Sequence, residues 1–207
     1  MTNTASFISR DQLEAIKELC NIGVGKGASV LNAMLSTHIT LNVPHVKIVS
    51  SRDFREELKE FARDTISAVE LAFEGNISGS AQLLFPTETA SSLVSILVEE
   101  GDELDMDALR AGTFCEVGNI VLNGVMGSIS NILGISFDYS VPAYIETHSD
   151  NFMKEGSMKE DSHVLLARTR FSIDALDIEG DIALFMQISA IHKLLETIEE
   201  KFGLNEQ

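Results

Sequence analysis

Apolar residues recur along this chain in two rhythms, one helical and one alternating, and the succession of the two runs through twice. From Ser9 onward, Leu13, Ile16, Leu19, Cys20 and Ile22 return at helical spacing, and the pattern continues through Val24, Ala28, Leu31 and Leu35. Ser9 and Gln12 have the spacing of a capping box, with Ile8 and Leu13 placed to staple the entry. Gly23, Gly25 and Gly27 lie inside this helix, where each glycine costs about 1 kcal/mol against alanine. Either another helix or a partner comes close there, or the helix breaks locally. Extended runs follow at 46–49, 66–73 and 77–85, the last two joined by Gly75-Asn76 as a hairpin, and a helix spans 88–98.

The second round begins at Leu104-Asp105, a staple and cap for a long helix reaching to about Leu133. Strand-like segments at 140–145, 164–173 and 181–188 come next, and the helix over 190–202 carries Ile191, Leu194, Leu195 and Ile198 on one face. Gly79-Ser-Ala-Gln-Leu-Leu-Phe85 parallels Gly180-Asp-Ile-Ala-Leu-Phe-Met186. The order helix, three strands, helix, read twice, predicts an α+β fold built by internal duplication. The expected domain is a single one over 1–207, with pseudo-two-fold halves of about 9–100 and 104–203. Three strands make too small a core alone, so the halves are expected to join edge to edge. That gives one mostly antiparallel sheet of about six strands under two long helices. The charged segments around 52–64 and 149–161 are expected at the surface as loops or short helices.

The net charge of −17 and a pI near 4.5 argue against nucleic acid and anionic lipid as partners, because both call for lysine and arginine. Cys20 and Cys115 fall inside predicted helices and outside any CxxC pair, so they are read as buried free thiols and not as a disulfide or a zinc site. No apolar run approaches the ~20 residues of a membrane span, and residues 1–7 lack the pattern of a signal peptide. No membrane insertion and a cytoplasmic location are expected. His38, His45, His148, His163 and His192 are scattered, and no P-loop or clustered metal-ligand pattern is present.

One polar constellation stands in both long helices. Glu18, Asn21 and Pro44 occur in the first half, Glu116, Asn119 and Pro142 in the second. In each copy Glu and Asn are three residues apart and 22 residues lie between Asn and Pro, with 98 positions separating the copies. Spacing of three places two side chains on one side of a helix, ~4.5 Å apart along its axis. A carboxylate and a carboxamide then project together, the first suited to a cation and the second to water or a polarised oxygen.

At these residues the chain resembles the CheC/CheX/FliY phosphatases of bacterial chemotaxis, whose signature is Asp or Ser, three residues, Glu, two residues, Asn, 22 residues, Pro. Glu18-Leu-Cys-Asn-Ile-Gly23 matches the first copy and Glu116-Val-Gly-Asn-Ile120 the second. Two complete sets in a chain of this length are similar to the CheC family. The Asp/Ser position departs from the pattern, falling on Glu14 in one half and on Gly112 in the other, so the second site is expected to be the weaker. The resemblance implies a phosphatase acting on the aspartyl phosphate of a CheY-like response regulator. In it Asn21 and Asn119 orient the attacking water, Glu18 and Glu116 align a lysine of the regulator, and Pro44 and Pro142 shape the chain. No cofactor is expected on this chain itself; the regulator supplies Mg2+. The alternative is an adaptor of little or no activity that binds a regulator or the receptor deamidase CheD.

Overall fold

The computed structural model describes residues 8–34, 38–62, 64–97, 106–155, 163–173 and 176–203. The first half contains α1 (Arg10–Met34), β1 (Ile39–Ser50), α2 (Ser51–Phe61), β2 (Thr65–Gly75), β3 (Gly79–Pro86) and α3 (Thr87–Leu97). The second contains α4 (Met106–Leu133), β4 (Phe137–Tyr139), β5 (Ala143–His148), α5 (Ser149–Glu155), β6 (His163–Ile173), β7 (Leu176–Met186) and α6 (Ile188–Phe202). The capping box forms as expected: Gln12 N–H donates to Ser9 Oγ at 3.1 Å, and Ser9 N–H to Gln12 Oε1 at 2.7 Å. The anticipated cap and staple at Leu104-Asp105 lie outside the described residues.

The seven strands form one antiparallel sheet in the order β1-β6-β7-β3-β2-β4, with β5 also paired to β2. Two features differ from the sequence reading. First, the halves interleave and do not simply abut. β1 pairs with the β6–β7 hairpin of the other half, and β4 and β5 pair with β2. Periodicity determines which face of a strand is buried, but not which neighbour it pairs with. Second, the described residues form seven strands, close to the six or so expected, because the segment read as one strand over 140–145 is broken. Phe73 faces Tyr139 and Glu70 faces Ala143, so 140–142 stand opposite two residues of β2, and Ser140 still donates its N–H to the Ala72 carbonyl at 3.0 Å.

The same irregularity is milder in β1. Its register against β6 shifts between Asn42 and His45, leaving Val43 and Pro44 together opposite one residue. Proline has no N–H for the ladder, which favours a bulge at this position. The inward-facing positions accordingly change from Ile39, Leu41 and Val43 to Val46 and Ile48.

Helices cover both faces of the sheet. On one face α1, α3, α4 and α6 pack onto the large core, which includes Val24, Leu93, Val121 and Leu195. On the other, α2 and α5 insert Phe54, Leu58 and Phe152 over Ile66, Leu84, Val164 and Phe185. The charged segments predicted at the surface thus form two amphipathic helices over the stretches described.

The glycines of α1 follow from its meeting with α4. A Cβ on Gly23 would stand 2.4 Å from Val125 Cα, and one on Gly27 would stand 3.2 Å from Val121 Cα. Gly124 in turn faces the carbonyl of Gly23, at 2.6 Å from an added Cβ. These contacts run in opposite senses along the two helices, so α1 and α4 are antiparallel and cross near Gly25 and Asn123. Close approach, and not a helix break, explains Gly23 and Gly27. Gly25 has open space around it.

Candidate functional site

Glu18 and Glu116 are both exposed, and Asn21 and Asn119 are half-buried beside them. All four lie on the helical layer of α1 and α4, opposite α2 and α5, with Asn21 turned toward the edge strand β1. Each asparagine comes four residues before the helix crossing. Because the helices are antiparallel, the two carboxamides lie on opposite sides of that crossing, about 12 Å apart along the axes. The layer therefore presents two separate Glu–Asn pairs on one surface.

The two asparagines are held differently. The Val43 N–H donates to Asn21 Oδ1 at 2.7 Å, while Asn21 Nδ2 donates to Val43 O at 3.2 Å and to Lys17 O at 3.1 Å. Asn21 thus supplies the backbone partners that Val43 lacks at the β1 bulge, directly before Pro44. Three turns later Asn32 repeats the device on Ile39, accepting from its N–H at 2.6 Å and donating to its carbonyl at 2.8 Å. Two carboxamides of α1 thereby clamp β1.

Among the described residues nothing comparable holds Asn119. Val141, at the position matching Val43, is 87% exposed where Val43 is 1% exposed. Asn123, one turn further along α4, instead donates from Nδ2 to Asn119 Oδ1 at 2.5 Å and to the Asn119 carbonyl at 2.9 Å. Sequence reasoning passed over Asn123. The signal was there, since residues four apart on a helix are neighbours.

The flanking positions also differ. Glu14 is exposed and ion-paired to Lys17 at 3.6 Å, whereas Gly112 has open space beyond its Cα. Pro44 and Pro142 are both half-buried. Burial pushes the Cys20 thiol up to about 12, and Cys115 is also raised, by desolvation and then by the adjacent Glu116. Neither thiol is set up as a nucleophile.

A cavity of about 610 Å³ lies at the β2–β3 turn, lined by residues including Phe73, Ile77, Met186 and Lys193. None of the motif residues lines it. The Glu–Asn pairs stand on an open helical surface, with Ile22 exposed beside Asn21. Such a surface is suited to another protein and not to an enclosed small molecule. Among the described residues no cluster of three or more His, Cys, Asp or Glu could hold a metal, and no helix is long and apolar enough to cross a membrane.

No family model matches the chain. The CheY-P phosphatase CheC of Bacillus subtilis is 26% identical over 142 residues, covering 65% of this chain and 66% of that protein. The match therefore spans just under two thirds of the relative's length. Among solved structures, Thermotoga maritima FliY superposes with a TM-score of 0.74 at 18% identity, covering 94% of this chain and 99% of that one. A chain of the CheX–CheY–BeF3–Mg complex from Borrelia burgdorferi gives a TM-score of 0.50 at 21% identity, covering 86% of this chain and 100% of that one. The chain thus has the fold of these solved structures and is similar in sequence to a CheC protein.

Proposed function

We propose that this protein hydrolyses the aspartyl phosphate of a CheY-like response regulator in the cytoplasm. The observation that carries the reading is the pair of Glu–Asn sets, each with an exposed Glu and a half-buried Asn, on an open helical face of a chain similar to a CheY-P phosphatase.

In the reaction, water oxygen attacks phosphorus as the bond from phosphorus to the acyl oxygen breaks. The aspartate carboxylate and inorganic phosphate leave, and the water's proton goes to the phosphate. Phosphoryl transfer of this kind depends chiefly on positioning and charge stabilisation. A carboxamide suits the positioning role because it offers both donor and acceptor and carries no titrating proton. Asn21 and Asn119 are the amides proposed to orient water. Glu18 and Glu116 align the complex through a lysine of the regulator. Pro44 and Pro142 shape the segments that follow the helices. The regulator brings the Mg2+ that offsets charge on the phosphoryl group.

The test is the loss of phosphate from a phosphorylated regulator of the same genome, with and without this protein. The wild type is expected to accelerate it. Asn21→Ala combined with Asn119→Ala is expected to abolish the acceleration while the protein remains folded. Full activity in a folded double variant would refute the roles given to the amides.

A second reading, an adaptor that binds a regulator or the deamidase CheD with little turnover, draws on two observations. The Asn21 carboxamide is committed to Val43, and position 112 carries no side chain. Regulator binding with no change in its dephosphorylation would favour it.

A further inference from the structure

We propose that Asn123 is a positioning residue for the Asn119 carboxamide, and that this second-half pair carries most of the hydrolysis. The inference rests on the phosphatase reading above and refines it.

The polarity of the pair follows from a backbone group. A peptide carbonyl can only accept, so the Asn123 atom 2.9 Å from the Asn119 carbonyl is the donor Nδ2. The same Nδ2 lies 2.5 Å from the Asn119 side chain, which must turn its oxygen toward it. The Asn119 Nδ2 is thereby directed away from Asn123. Among the described residues nothing is hydrogen-bonded to it. Its N–H can hold one lone pair of a water while the other lone pair faces phosphorus.

In the first half this arrangement is missing. The position matching Asn123 is Gly25, which has no side chain, and the Asn21 Nδ2 already donates to two carbonyls. Its Oδ1 accepts from the Val43 N–H. To reach a phosphoryl group, Asn21 would have to release the β1 bulge; Asn119 makes no such bond. Gly112 weighs less against the second site than the sequence pattern implies, because its missing side chain leaves the approach to Glu116 open.

The test is the steady-state hydrolysis of phosphorylated regulator by the full chain. Asn123 is exposed, so Asn123→Ala and Asn123→Gly are both expected to fold, the glycine variant melting a few degrees below the alanine one. Each should lower kcat about tenfold, the factor that one lost hydrogen bond of ordinary strength allows, with KM for the regulator unchanged. Asn123→Asp should lose at least as much. Its carboxylate only accepts, so it turns the Asn119 amide over. A merely structural residue would not give this split between kcat and KM. With an active wild type, full kcat in Asn123→Ala, or a rise in KM alone, overturns the inference. A wild type that leaves the regulator's own rate unchanged overturns the phosphatase reading as well.

Discussion

Asn21 and Val43 are joined by two hydrogen bonds, one from the Val43 N–H at 2.7 Å and one to its carbonyl at 3.2 Å. The bond pair gives a physical meaning to the 22-residue gap between Asn and Pro in the first half. The proline interrupts the β1 ladder, and the asparagine satisfies the residue just ahead of it.

Removing this clamp should destabilise the protein. Asn21→Ala leaves both backbone groups of a buried valine without their partner, a cost of about 1–3 kcal/mol. Asn119 holds no strand, and Asn119→Ala should change stability far less. Urea unfolding of the two variants checks this; equal losses would show that the Val43 bonds contribute little.

The helix crossing gives a second contrast. Gly23→Ala drives a Cβ to 2.4 Å from the Val125 backbone and should destabilise strongly or separate α1 from α4. Gly25→Ala meets open space and should be neutral or stabilising by up to about 1 kcal/mol. Thermal unfolding distinguishes the two. A well-tolerated Gly23→Ala would mean that the helices are not in contact there.

This crossing shows what was legible in the chain. Three glycines in an apolar helix announced close approach or a break, and the capping box at Ser9 and Gln12 announced where that helix begins. Both rest on local spacing. The swap of β1 onto β6, the broken β4–β5 strand and the Asn21–Val43 bonds depend on what lies across the sheet, which period and composition do not encode. The Glu–Asn pairs were readable because they lie on single helices. Their inequality was not, because Val43 is 22 residues from Asn21 in sequence and meets it only through the fold.

Burial raises the Asp181 carboxyl above its ordinary 3.8, and the hydrogen bond and charge of Arg168 oppose that rise only in part. The folded state then holds this proton more tightly than the unfolded chain. Ionising Asp181 therefore weakens the fold as pH rises from 3.8 through the raised value, and the deficit is complete above it. The neutral variant Asp181→Asn escapes this, and its Arg168 partner, 42% exposed, stays solvated. The stability of Asp181→Asn relative to wild type should rise between about pH 4 and pH 7. Melting temperatures at both values check this, and a relative fall toward pH 7 would contradict it.

Cys20, with its thiol pushed up to about 12 and no exposure, should resist alkylation by iodoacetamide in the folded protein and react only after unfolding. Peptide mass mapping reads this directly, and rapid labelling of Cys20 in the native state would show that the α1 core opens.

The central claim is that a carboxamide on an open helix face promotes loss of phosphate from a partner's aspartate, chiefly at Asn119. The most direct measurement is the dephosphorylation rate of the regulator with Asn119→Ala in place of the wild type. The account predicts a fall close to the regulator's own rate, with regulator binding and melting temperature retained. A folded Asn119→Ala protein that keeps the full wild-type acceleration would contradict it.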